Sequence, residues 1–70
     1  MAKVYTSPEL LKAARLACGE SQADVARAVG ITRNAISQYE KGLRRPTDEI
    51  KVRLSKHFNT TVSFLFYGGR

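Results

Sequence analysis

Gln22-Ala23-Asp24-Val25-Ala26-Arg27-Ala28-Val29-Gly30-Ile31-Thr32-Arg33-Asn34-Ala35-Ile36-Ser37-Gln38-Tyr39-Glu40 decides the reading of this chain. Val25, Ala26 and Val29 recur at the spacing of one buried helix face. Gly30 ends that run, and Thr32 opens a second helix. A turn of three to four residues between helices needs a positive φ, which glycine adopts without steric cost. Ala26 is small enough for the two backbones to cross closely, and Ile31 and Ile36 fill the wedge between them. The second helix, 32–41, carries Arg33, Asn34, Ser37, Gln38 and Lys41 at i, i+1, i+4, i+5 and i+8, which is one side of a helix. Each of these can hydrogen-bond a base edge or a phosphate. The stretch predicts two helices around a tight turn, the second offered to duplex DNA.

Working outward, the punctuation predicts five helical segments and no strand. Ser7-Pro8-Glu9 is a start signal: a hydroxyl cap, proline at the first helical position, then an acid on the helix dipole. That helix is expected to reach about Cys18 and stop at Gly19, with Leu10, Leu11, Ala14, Ala17 and Cys18 as its apolar stripe. Cys18 reads as a small core residue. Ser21-Gln22-Ala23-Asp24 has the capping-box pattern. The helix opened by Thr32 closes at Gly42, and Tyr39 at its base reads as core. Thr47, followed by Asp48 and Glu49, starts a fourth helix with Ile50, Leu54 and Phe58 inward and Asn59 as a left-handed stop. Thr61 caps a last turn carrying Val62, Leu65 and Phe66. Leu43-Arg44-Arg45-Pro46 is the one irregular connection of note.

Seventy residues suit one domain, 1–70 with a core of about 7–67, and a modest hydrophobic interior. The 12 Lys and Arg against 6 Asp and Glu give +6, a balance suited to a polyanionic partner through counterion release. One cysteine excludes an intramolecular disulfide and a cysteine-built zinc site. Met1–Pro8 lacks the apolar run of a signal peptide, and Phe64-Leu65-Phe66-Tyr67 is far too short to span a membrane. The expectation is a cytoplasmic protein without membrane association. With one histidine, one cysteine and no glycine-rich phosphate loop, no enzyme site, metal site or cofactor is expected. His57 has no carboxylate constellation in sequence, and solvent or a helix C-terminus accounts for it.

Gln22, Ala26, Gly30, Ile31, Ile36, Ser37, Tyr39, Glu40 and Gly42 carry a resemblance to the Cro and repressor helix-turn-helix (XRE-like) family of bacteriophages and bacterial regulators, over about Leu10 to Phe66. It implies an all-α, compact bundle of five short helices of the lambda repressor type. It also implies that helix 32–41 lies in the major groove while the start of the helix before it touches the backbone. Arg33 and Asn34 in the first turn, Gln38 one turn later, and Ser37 are the expected base contacts, with Arg suited to guanine and Asn or Gln to adenine. Ser21, Gln22, Thr32, Lys41, Arg44 and Arg45 are the expected phosphate contacts. Glu40 falls on the inward side, where a lone carboxylate is costly. Arg15 flanks the first helix's stripe and is its expected partner, an ion pair that members of the family often use to brace the reading helix. Two positions depart from the pattern. Glu20 stands where an apolar staple is usual, leaving that corner looser or finding a cation. Lys51 stands at an often apolar position that its aliphatic stem can serve.

The expected function is a sequence-specific duplex-DNA-binding transcriptional regulator, binding its operator as a homodimer. Phe64, Phe66 and Tyr67 cannot all face inward on one short turn, so they and Val52 are the expected dimer surface. The same aromatic segment is the candidate surface for a protein partner. With no effector or protease segment in view, regulation is expected through concentration, partners or proteolysis. Alternative readings are an antitoxin, a restriction-modification controller, or a protein-interaction module that has lost DNA binding.

Overall fold

The computed structural model describes residues 7–67. Their order is α1 (Ser7–Ala17), α2 (Gln22–Val29), α3 (Arg33–Glu40), α4 (Asp48–His57) and α5 (Val62–Tyr67), with no strand among the described residues. The all-α, five-helix expectation holds. The side chain of Ser7, and Met1–Thr6, lie outside what is described, so the proposed hydroxyl cap of α1 and the reading of the N-terminal stretch are not addressed by the fold.

Short local devices set the helix limits. Ser21 accepts from the Asp24 backbone N–H at 3.0 Å, while the Asp24 carboxylate accepts from the Ser21 N–H at 3.0 Å, closing the capping box. The Thr32 hydroxyl accepts from Ala35 N–H, Thr47 from Ile50 N–H and Thr61 from Phe64 N–H. Each satisfies a donor that the first helical turn leaves unpaired. At the other ends, Glu20, Ile31, Leu43 and Thr60 donate their N–H groups back five residues, to Arg15, Ala26, Gln38 and Ser55. The residue before each has positive φ: Gly19, Gly30, Gly42 and Asn59. Gly19, Gly42 and Asn59 also donate back three residues, to Leu16, Tyr39 and Lys56, which completes the Schellman pair at those ends, while the Gly30 N–H goes to the Ala26 carbonyl. At Gly30, φ is 78°, and an added Cβ would meet only the tip of Arg53 at 3.7 Å. The objection to a larger residue there is conformational, about 1–2 kcal/mol, rather than steric.

Leu11, Val25, Ile36, Leu54 and Leu65 are the largest fully buried side chains, one from each helix. Ala26, Val29, Ala35, Tyr39 and Phe66 complete the core, and Ile31, Ile50, Phe58 and Val62 pack against it. Ile36 fills the α2–α3 wedge as its spacing predicts; truncating such a side chain typically costs about 2–5 kcal/mol.

Three readings are corrected. Only Leu11 of the α1 stripe is fully buried; Leu10 and Ala14 are half-buried, while Ala17 and Cys18 are exposed. The helix ends at Ala17, so Cys18 sits in the outward turn to Gly19, and Arg15 takes the interior position one turn after Leu11. Phe66 is 6 % exposed and belongs to the core, leaving Phe64 and Tyr67 as the exposed aromatics of α5. His57 does have a carboxylate partner: its Nε2 lies 2.8 and 3.1 Å from the two oxygens of Glu20. Glu20 thus acquires the polar partner that its departure from the apolar pattern called for. Lys51 is half-buried, and its Nζ donates to the Tyr67 hydroxyl at 3.0 Å.

Candidate nucleic-acid interface

The two sides of α3 differ completely. Ala35, Ile36 and Tyr39 are buried against the body of the domain. Glu40, on the same inward side, accepts two hydrogen bonds from Arg15, Nε to Oε2 at 2.7 Å and Nη2 to Oε1 at 3.0 Å. The Arg15 Nη1 also donates to the Glu20 carbonyl at 2.9 Å, so one guanidinium ties α1, the α1–α2 turn and α3 together. The side chains are only 10 % and 4 % exposed, so the pair replaces lost hydration with a planar, two-point match. The hydrogen bond to Glu40 raises the Arg15 pKa above its ordinary value, against the opposing effect of burial. Arg15 is therefore a fixed positive charge at any accessible pH.

The brace extends to α2. Gln22 Nε2 donates to Glu40 Oε1 at 3.2 Å. An amide nitrogen carries two hydrogens, so one anchors Gln22 to the brace and the other remains for an anion. Gln22, Arg33, Asn34 and Ser37 line a shallow notch of about 250 Å³ between the start of α2 and the first turns of α3. Four residues singled out in the sequence thus share one concavity.

On the outer side, Arg33, Asn34 and Lys41 are exposed, and Ser37 and Gln38 are half-buried. Among the described residues, none of these five side chains makes a hydrogen bond within the protein. Their donors and acceptors stay available. Ser21 and Thr32 are exposed at the starts of α2 and α3; each hydroxyl oxygen is used as a cap, leaving its hydrogen to donate. Arg44 and Arg45 are exposed on the loop that follows α3, with the Arg44 guanidinium 5.9 Å from the Tyr39 ring centroid. Leu43, 74 % exposed between Lys41 and Arg44, is an apolar member of the surface that the sequence reading passed over. Gly42 and the Leu43-to-Gln38 backbone bond fix where that loop departs, so the cationic run begins at a set point beside α3.

A helix-turn-helix family model, HTH_3, matches residues 11–65. The chain belongs to the helix-turn-helix family. Its fold superposes on a crystal structure of the P22 c2 repressor in complex with a synthetic operator, with TM-score 0.89, 29 % identity, and coverage of 93 % of this chain and 98 % of that one. A solution structure of the P22 c2 repressor DNA-binding domain gives TM-score 0.84 and 28 % identity over 91 % of this chain and 84 % of the other. A comparison with curated proteins gave no significant match. In this helix-turn-helix chain, α2 and α3 are the two helices of the motif, and the brace, notch and loop surround the second. No described helix is long and apolar enough to cross a membrane, and no group of three metal-binding side chains is assembled among the described residues.

Proposed function

We propose that this helix-turn-helix protein is a sequence-specific duplex-DNA-binding transcriptional regulator of the repressor type. The observation that carries this is the division of α3: its inward side is buried and ion-paired, while Arg33, Asn34, Ser37 and Gln38 keep their base-reading groups unpaired on the other. In this docking α3 enters the major groove with its N-terminal turns deepest, and α2 crosses the backbone. Arg33 reads guanine, Asn34 and Gln38 read adenine, and Ser37 takes a base or a phosphate. Ser21, Gln22, Thr32, Lys41, Arg44 and Arg45 hold the flanking phosphates and supply most of the salt-dependent affinity. The operator complex of the structurally similar P22 c2 repressor supports a duplex partner. The cytoplasm, where such a regulator meets DNA, is the proposed location, and the described domain works without catalysis.

One reading helix covers only a few base pairs, too little to discriminate against a genome of competing sites. We therefore place two copies on the operator, with half-sites about 34 Å apart. Val52, Phe64 and Tyr67, at 42, 57 and 54 % exposure, supply the apolar surface for that contact.

Selection of bound sequences from a random duplex pool, followed by gel shift at low and moderate salt, tests the function. The expected result is a preferred, two-fold symmetric site. Binding with no preference, or none to random duplex even at low salt, would sink the regulator and leave a protein-interaction module.

A further inference from the structure

Away from the outer face of α3, a groove of about 340 Å³ opens where the start of α1, the end of α3, the α3–α4 loop, α4 and α5 meet. That size is at the lower end of the roughly 300–1,000 Å³ typical of small-ligand sites. Leu11, Tyr39, Phe66 and Tyr67 give it apolar and aromatic walls, and Arg44, Arg45 and Lys51 bring three cations. Among the described residues, no carboxylate lines it. Among the described residues, none of the three cations has an acidic partner, although Arg15, Arg53 and His57 each do.

Two of these cations are already positioned. Lys51 Nζ donates to the Tyr67 hydroxyl and lies 5.2 and 5.8 Å from the centroids of the Tyr67 and Phe66 rings. Arg44 lies over Tyr39. An ammonium has three donors and a guanidinium five, so each keeps N–H groups for a further acceptor. Long side chains held in this way lose less entropy when an anion arrives. Neither the core nor the DNA reading makes use of the Lys51 charge.

We propose that this groove binds a small aromatic acid, its ring against the aromatic walls and its carboxylate held by Lys51 together with Arg44 or Arg45. A bare anion would leave the apolar walls wet, and a neutral ring would leave the cations uncompensated. The consequence for regulation rests on the DNA reading above. Arg44 and Arg45 are assigned there to phosphates, so an occupied groove competes with the operator and acts as an effector site.

The binding test uses the free full-length protein and needs no DNA. 2-Naphthoate is titrated while backbone amide shifts are followed by NMR, with 2-naphthamide and inorganic phosphate as matched probes. Expected are saturable shifts at Tyr39, Gly42 and Tyr67, with the amide and phosphate binding at least about tenfold more weakly, as charge-assisted pairing together with ring burial requires. Lys51→Met abolishes the response. Arg45→Gln, on an exposed loop where folding is not at stake, weakens it; Lys56→Gln, outside the groove, leaves it unchanged. Equal binding of the amide, equal shifts with phosphate, or shifts centred on Arg27 and Lys56 instead would overturn the proposal. So would shifts at Tyr39 and Gly42, which lie outside the proposed dimer surface, that grow with protein concentration alone; these would assign the groove to a second copy of the chain. In a second arm, 2-naphthoate lowers the affinity for the selected duplex in wild type and not in Lys51→Met. If the NMR arm succeeds and the protein binds no duplex, the ligand site stands and the DNA reading falls.

Discussion

The corner between α2 and α3 and the end formed by α4 and α5 are built on opposite plans. At the corner, Arg15 spans two helices and a turn, Gln22 joins the brace, and Ser21 and Thr32 cap both helices. The α3 backbone is held before any ligand arrives, so the outer side chains present their groups from a rigid support. At the other end, Phe64, Tyr67 and Val52 remain exposed, and Lys51 lies over rings rather than against a carboxylate. The first region lowers the ordering cost of the proposed reading; the second leaves apolar area exposed, which the proposed dimer contact would bury. Local rigidity and local incompleteness thus mark two different kinds of contact on one 70-residue chain.

The sharpest way to break this contrast is at the brace. Glu40→Ala strands Arg15 in the interior and should lower stability by about 3–5 kcal/mol in chemical denaturation, whereas the double change Arg15→Met with Glu40→Leu should recover much of it. Additive losses in the double-mutant cycle would mean that the pair is not coupled. Asn34→Ala and Gln38→Ala should leave stability within about 0.5 kcal/mol. Each should cost about 1–3 kcal/mol on the selected operator and relax preference at one position. At the other end, Phe64→Ser should weaken self-association roughly tenfold in sedimentation while the monomer stays folded. Removing everything after Ser63 is a poor substitute, because Leu65 and Phe66 would leave the core with it. Arg44→Gln should weaken all duplexes alike and reduce the salt slope by about 1; a change in base preference instead would put the loop in the groove and α3 outside it.

The smallest effect concerns pH. The backbone N–H of Ser21, then its side chain, holds the Asp24 carboxyl below its ordinary value of 3.8. A carboxyl with a folded pKa below its unfolded one contributes stability above the unfolded value and loses it as pH falls through the folded one. Asp24→Asn should therefore flatten the acid limb of the stability profile slightly and leave neutral pH nearly unchanged. An acid limb identical to that of wild type would show that the capping box contributes nothing through charge.

Much of this was legible in the sequence for a simple reason. Caps and Schellman ends are decided within windows of three to six residues, so Ser21, Thr32, Thr47, Gly19, Gly30 and Asn59 announce themselves. The α2–α3 wedge was legible through Ala26 and Ile36, and the Arg15–Glu40 pair through the family resemblance. What was missed depends on distance or on shortness. Glu20 and His57 are 37 positions apart, and no local pattern joins them. A helix of six residues leaves Phe64, Phe66 and Tyr67 with nearly equal claims on the interior, and only packing against α1 and α4 chooses Phe66. Cys18 continues the apolar period one residue beyond the last helical residue, so periodicity alone assigns it to a stripe that the backbone has already left. At the site, the shared outward side of Arg33, Asn34, Ser37, Gln38 and Lys41 is legible from helical spacing, whereas the Gln22 bond to Glu40 joins positions 18 apart and is visible only in the fold.

The unpaired outer side of α3 also bears on how such a protein changes over generations. Because Arg33, Asn34 and Gln38 support nothing inside the molecule, their replacement meets no resistance from folding, and a lineage can wander from one operator to another through viable intermediates. Glu40, two residues on from Gln38 along the same helix, has no such freedom while Arg15 stays buried opposite it. Mutability within this helix should therefore alternate with the turn of the backbone, so that eight consecutive residues hold both freely replaceable and tightly constrained positions.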